Sequence, residues 1–233
     1  MADDNGAIST NHALPAECFV IAIDGPAASG KGTLARKLAA HYQLNYLDTG
    51  LSYRAIAKAM LDHGFSLNDE KNALKLVDDL NFASLNQKIL SSHAIGAAAS
   101  QIAIMPRLRH RLVLLQRNFA NHARGAVLDG RDIGTVVCPN ANIKLFISAD
   151  VKTRASRRYQ EILATGVHAD YLNILKDIRE RDQRDMSRSQ SPLKPADDAY
   201  LLNTTKLGIE AAFEAARNLV EPIWQRFNAR SKQ

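Results

Sequence analysis

FVIAIDGPAASGKGT, residues 19–33, is the stretch on which the reading of the whole chain turns. Its apolar, largely β-branched start (Phe19, Val20, Ile21, Ala22, Ile23) reads as a buried strand that ends at Asp24. Gly25, Pro26, Ala27, Ala28, Ser29 and Gly30 then form a loop, and Lys31, Gly32 and Thr33 open the helical LARKLAAHY. Strand, glycine loop and helix start in that order are the context of a phosphate-binding P-loop. The glycines let consecutive amides turn inward, the new helix presents its positive end, and Lys31 adds a mobile charge. An ordinary glycine-rich turn is the plainer alternative, and the complete spacing argues against it.

One position departs from the common pattern, in which Ser or Thr directly follows the lysine and ligates magnesium. Here Gly32 stands there and Thr33 comes one later. That weakens a loop hydroxyl as a metal ligand. It leaves Mg2+ to nucleotide phosphates and water, in keeping with the ion's reluctance to dehydrate. The GxxxxGKGT form resembles the loop of nucleoside monophosphate kinases, which move a phosphoryl group between two bound nucleotides.

Outward from this loop, short apolar runs alternate with helical stretches. Further strands are expected at residues 44–47, 125–129, 143–147 and 199–202. Helices are expected at 51–63, 69–80, 91–105, 106–122, after 150, at 170–188 and at 207–228. Residues 81–90 (NFASLNQKIL) read as a weak strand pair with poor turn chemistry. The alternation predicts an α/β, three-layer fold: a parallel sheet of about five strands with helices on both faces. Ligands of such sheets lie beyond the carboxyl ends of the strands, where Asp24, Asp48, Thr49, residues 129–132, residues 148–150 and Asn203 fall.

The 233 residues suffice for one α/β domain with small inserts, and the apolar share of 46% is that of a soluble globular chain. No apolar run approaches the roughly 18 residues of a membrane span. The polar, acidic start lacks the features of a secretory signal, so residues 1–16 read as a disordered extension before a single domain over 17–233. Cys18 and Cys138 are isolated and adjoin strand-like sequence, which suggests buried thiols in a reducing cytoplasm. A net charge of +6 suits a pocket for several phosphates as well as a nucleic acid. The arginines fall at helix starts and in one late cluster, with few aromatics beside them, which favours nucleotides over polymers; with no apolar span, no membrane partner is expected.

Asp129 and Asp24 are the two carboxylates placed to orient magnesium through water; the bland reading of each is a helix or loop cap. Thr49 and Arg54 sit where an anion over a helix start would be addressed, although an N-cap and a solvated arginine are the bland readings. In ERDQRDMSR, residues 181, 184, 185 and 188 share a helical face, as an exposed, salt-bridged helix also would.

Taken together, GPAASGKGT, LDTGLSYRA, SQIAIMPRLR, LDGRDIGTVV, RDQRDMSR and LLNTTKLGIE resemble the bacterial-type cytidylate kinase family, in the family's order over about residues 18–225. The resemblance implies a P-loop kinase core, a monophosphate-binding insert over about 65–105 and a mobile lid over about 152–190. It implies transfer of the terminal phosphate of ATP to CMP or dCMP, with Mg2+. By matching positions, Ser100, Arg109 and Asp132 would recognise cytosine, Arg181 and Asp185 the sugar, and Arg54, Arg131 and Arg188 the acceptor phosphate. Thr49 and Tyr53 fall in the same acceptor site. Lys31, Arg131, Arg188 and Asp129 would carry the catalysis. Residues 25–33 and Arg157 would bind ATP, with Arg154, Arg157 and Arg158 in the lid. The insert is shorter than is usual in the family and lacks its Asn-Gly-type turn. The rival readings are a kinase for UMP, dTMP or a non-nucleotide acceptor, and a nucleotide-switched RNA- or DNA-binding protein. A monomer is expected, since closing segments must move freely.

Overall fold

The computed structural model describes residues 18–122 and 124–230; the extension expected over residues 1–16 lies outside them. The chain runs β1 (Val20–Asp24), α1 (Lys31–Tyr42), β2 (Asn45–Asp48), α2 (Thr49–Asp62), α3 (Glu70–Val77), α4 (Gln87–Leu90), α5 (His93–Ile102) and α6 (Pro106–Ala120). It continues through β3 (Ala126–Gly130), β4 (Ile143–Ser148), α7 (Val151–Leu163), α8 (Tyr171–Ser187), β5 (Tyr200–Asn203) and α9 (Ile209–Arg230). All strand pairings are parallel, in the order β2-β3-β1-β4-β5.

β1 shows why the sheet needs cover on both faces. Successive side chains of a strand point to opposite sides. Phe19, Ile21 and Ile23 pack with Leu34 and Leu38 of α1 and with Ala216 and Val220 of α9. Val20 and Ala22 pack the other way, with Val113 and Ala120 of α6 and with Ile133. The result is the three-layer arrangement expected from the sequence. Two smaller apolar clusters stand apart from the sheet, one joining α2, α3, α5 and α6, the other joining α7 to α8.

The expected strand pair at residues 81–90 does not form. A 3-10 turn (Phe82–Ser84) and the short helix α4 replace it. Two asparagines explain the change. The Asn81 side chain accepts from the Ala83 amide at 2.9 Å, and the Asn86 side chain from the Lys88 amide at 3.0 Å. Such local bonds offer the backbone a turn in place of a ladder. Between α2 and α6 the described residues therefore form helices joined by turns, with no strand. Glu70 ties this segment down, its Oε1 accepting from the amides of Arg107 and Leu108 at 2.7 and 3.2 Å, at the uncapped start of α6.

A second unanticipated element follows β3. Residues Ile133–Val137 form a π-helical turn, in which the amides of Val137 and Cys138 donate five residues back to the carbonyls of Asp132 and Ile133.

Candidate active site

The loop between β1 and α1 is held by its carbonyls. Ala27 O accepts from Arg154 Nη1 at 3.2 Å, and Ser29 O from Thr204 Oγ1 at 3.0 Å and Arg157 Nη1 at 3.3 Å. With these oxygens engaged from behind, residues 27–33 line an open cleft of about 1650 Å³. Gly25 allows the close approach this needs, because a Cβ there would lie 2.1 Å from the Ile147 carbonyl oxygen. Gly30, at φ 89°, precedes α1 without a side-chain cap, so the positive end of that helix is open to a ligand. Ser29 Oγ is buried with no hydrogen-bond partner among the described residues.

Beneath the loop, register brings two acids together. Asp48 and Asp129 are paired positions on the neighbouring strands β2 and β3. Asp129 Oδ1 accepts from Tyr46 Oη at 2.8 Å, and Asp48 caps α2 through the Gly50 amide at 2.9 Å. Burial, reinforced by Asp48, raises the Asp129 carboxyl, while burial and then Arg131 lower the Lys31 ammonium. Both groups are thereby pressed toward their neutral forms, and a triphosphate against Lys31 would restore its charge. Asp24, the other acid considered for magnesium, points elsewhere: its two oxygens accept from the amides of Ile133 and Gly134 at 2.7 and 2.8 Å. Asp48 and Asp129 are paired carboxylates beside the phosphate loop, an oxygen-donor set that would suit a hydrated divalent cation, whose charge would favour the ionised form of Asp129.

Next to this cleft lies a second pocket of about 530 Å³, which shares Lys31, Asp48, Gly50, Arg131 and Arg181 with it. Here residues from seven elements converge, α1, β2, α2, α5, α6, β3 and α8. Arg109, only 2% exposed although it carries a charge, donates Nη2 to Asp132 Oδ2 and Nη1 to Ala103 O at 3.0 Å. Its guanidinium stands 5.8 Å from the centre of the Tyr53 ring. Ser100 Oγ is buried with no hydrogen-bond partner among the described residues, an orphaned polar atom in the pocket wall. Such a group is costly unless a ligand completes it.

Asp185, 1% exposed, joins two more of the anticipated arginines. Its Oδ2 accepts from Arg131 Nε at 2.8 Å and its Oδ1 from Arg188 Nη2 at 2.5 Å. Burial alone would raise this carboxyl, but Arg131, Arg188 and Arg181 outweigh it and hold it below the usual range. Arg181 lies close by; burial and then Arg131 push its guanidinium down to about 9. That marks an excess of positive charge, as an anion site requires.

Four anticipated residues are placed differently from the rest. Thr49 lines the pocket, but its hydroxyl donates to Asp129 O at 2.9 Å, and the cap of α2 is Asp48. Arg54 lines the open cleft and donates to Leu90 O at 2.7 Å. Arg157 lines neither cavity; its donors go to carbonyls of Ser29, Thr204 and Leu207. Arg154 is paired with Asp182 at 2.5 Å. Of the α7 arginines it is Arg158 that reaches the cleft, where it also donates to Ser91 O at 3.1 Å.

Residues 21–222 match the family model described as Cytidylate kinase. The protein named Cytidylate kinase from Bartonella henselae is 60% identical over 205 residues, covering 88% of this chain and 95% of that protein. Its namesake from Brucella suis is 57% identical over 203 residues, covering 87% and 93%. A crystal structure of an uncharacterized protein from Eubacterium ventriosum superposes with a TM-score of 0.52 at 16% identity, over 87% of this chain and 98% of that one. That last likeness speaks to the fold alone.

Proposed function

The chain belongs to the cytidylate kinase family, and on that premise we propose how its residues divide the work. The enzyme transfers the terminal phosphate of ATP to CMP or dCMP, giving ADP and CDP or dCDP. Lys31 and the amides of the 25–33 loop hold the donor phosphates. The acceptor's base enters the pocket of Ser100, Arg109 and Asp132, and its phosphate meets Arg131, Arg188, Arg181 and Arg54.

The observation that carries this reading is the meeting of Ser100, Arg109 and Asp132 in one buried wall beside the phosphate loop. Cytosine presents an exocyclic amine that Asp132 accepts, and N3 and O2 acceptors that Arg109 and Ser100 satisfy. Uracil would turn a carbonyl toward Asp132 and leave a buried acceptor without a donor, a mismatch that discriminates strongly.

The attacking group is itself a phosphate oxygen, so no strong base is needed at neutral pH. What remains is alignment and neutralisation of charge. Asp185 holds Arg131 and Arg188 in one orientation, so both arrive as a rigid pair at the phosphates. Mg2+ would be held by the phosphates and by water on Asp48 and Asp129, and would supply further neutralisation. The helices α7 and α8 act as a lid, bringing Arg158 over the cleft and excluding water that would otherwise hydrolyse ATP. The protein works as a cytoplasmic monomer, and among the described residues no helix is long and apolar enough to cross a membrane.

A panel of CMP, dCMP, UMP and dTMP with ATP and Mg2+, read as diphosphate formation, tests the proposal. Turnover of the cytidine nucleotides well above the others is expected. Equal turnover of UMP would overturn the assignment of the base pocket.

A further inference from the structure

Asp24 ends β1 immediately before the phosphate loop, yet lines neither cavity. It is 4% exposed, and its carboxylate reaches across to the amides of Ile133 and Gly134, more than a hundred residues later in the chain. These are the first two amides after Asp132, at the start of the π-helical turn, where Asp132 itself makes no side-chain cap. The far end of the turn is also gripped: Arg117 donates Nε to Val137 O at 2.9 Å and Nη2 to Val136 O at 2.7 Å. Gly134 leaves little room for another arrangement, since a Cβ on it would lie 3.0 Å from Lys144 Cδ and 3.4 Å from Asp24 Oδ2.

The position of the Asp132 carboxylate therefore depends on a turn clamped at both ends. Burial lifts the Asp24 carboxyl to about 7 against the opposing pull of the two amides, so the site is a costly place for an acid, and its carboxylate is spent on this clamp. An apolar residue would pack there without that cost.

We propose that Asp24 is the positioning residue for Asp132: by holding the amides of Ile133 and Gly134 it fixes the carboxylate that selects cytosine, and it ties this selection to the strand end that carries the phosphate loop. The inference rests on the assignment of Asp132 to the base.

The test compares Asp24→Asn with Asp132→Ala in the full chain, with CMP and UMP as acceptors. The amide keeps the volume and one acceptor of Asp24 but turns an NH2 group against one of the two amides. The preference for CMP over UMP in kcat/KM should fall about tenfold, through a higher KM for CMP. Because Asp24 adjoins Gly25 of the phosphate loop, the KM for ATP is measured alongside, and it should change less than the preference for CMP. A merely structural residue would lower stability and leave the preference unchanged. If Asp132→Ala loses the preference and a folded Asp24→Asn keeps it, the positioning role is overturned and the Asp132 assignment survives. If Asp132→Ala keeps it, that assignment fails and takes the inference with it. Hydrogen exchange of the unaltered protein supplies a check that needs no variant. The Ile133 and Gly134 amides should be strongly protected, and exchange at the rate of an exposed loop would overturn the clamp.

Discussion

The phosphate loop and the base pocket share a wall at Lys31, but they are built by opposite means. At the loop, backbone groups do the holding, and side chains such as Arg154, Arg157 and Thr204 stand behind, fixing the carbonyls. At the pocket, side chains from α2, α5, α6, α8 and the turn after β3 do the holding, and several are already bound to one another, Arg109 to Asp132 and Asp185 to Arg131 and Arg188. On the proposed reading, a triphosphate meets amides set in place for it, and a nucleoside monophosphate joins a paired network in which arginines outnumber carboxylates and Ser100 Oγ has no partner among the described residues. The first arrangement suits a ligand common to many enzymes, and the second suits the choice of one base among several.

Lys31→Ala bears hardest on this contrast. Turnover should drop by about a thousandfold or more, while calorimetric CMP binding stays close to that of the unaltered enzyme. A comparable loss of CMP binding would erase the division between the two sites.

Asp185→Ala probes the pocket's reliance on pairing. Removing the shared carboxylate leaves three half-buried arginines facing one another and should cost about 3 kcal/mol of stability, read in denaturant. Its pH dependence has a definite sign. The folded-state pKa of Asp185 is depressed, so its contribution is complete above the unfolded carboxylate pKa and is lost as pH falls through the folded value. The variant should therefore lack part of the acid-induced loss of stability below about pH 4.

Asp132→Ala should lower the preference for CMP over UMP about a hundredfold, with ATP affinity little changed. Equal losses for both nucleotides would make Asp132 a structural partner of Arg109. The smallest signal expected concerns protons. Because the Lys31 ammonium is lowered by burial and by Arg131, ATP binding near pH 8 should take up a fraction of a proton, at most about one. Calorimetry in two buffers of different ionisation enthalpy measures it, and Lys31→Arg should abolish it.

The same contrast governs what could be read without coordinates. The phosphate loop is contiguous, so its glycines, lysine and flanking strand declare themselves together in residues 19–33. The core strands were legible as apolar runs, and each of β1 to β5 differs from expectation by about a residue at one or both ends. The pocket residues came only from the resemblance, because nothing local to Ser100, Arg109 or Asp132 says that they meet. Asp48 escaped notice as a site residue because its pairing with Asp129 is a matter of strand register. Arg157 and Arg158 are adjacent and chemically alike, yet one faces the loop's carbonyls and the other the cleft; tertiary packing alone makes that choice. Residues 81–90 misled because their apolar spacing outweighed Asn81 and Asn86, whose side chains settle the local fold.

Both cysteines of the chain are buried, Cys18 at 3% and Cys138 at 0% exposure, and burial pushes the Cys138 thiol up to about 12. Maleimide dyes should thus leave the native sulfhydryls largely untouched. Lys88→Cys and Val167→Cys, both at exposed positions, would then give the reactive handles for energy-transfer labelling, and could report how far α4 stands from the end of α7 during turnover.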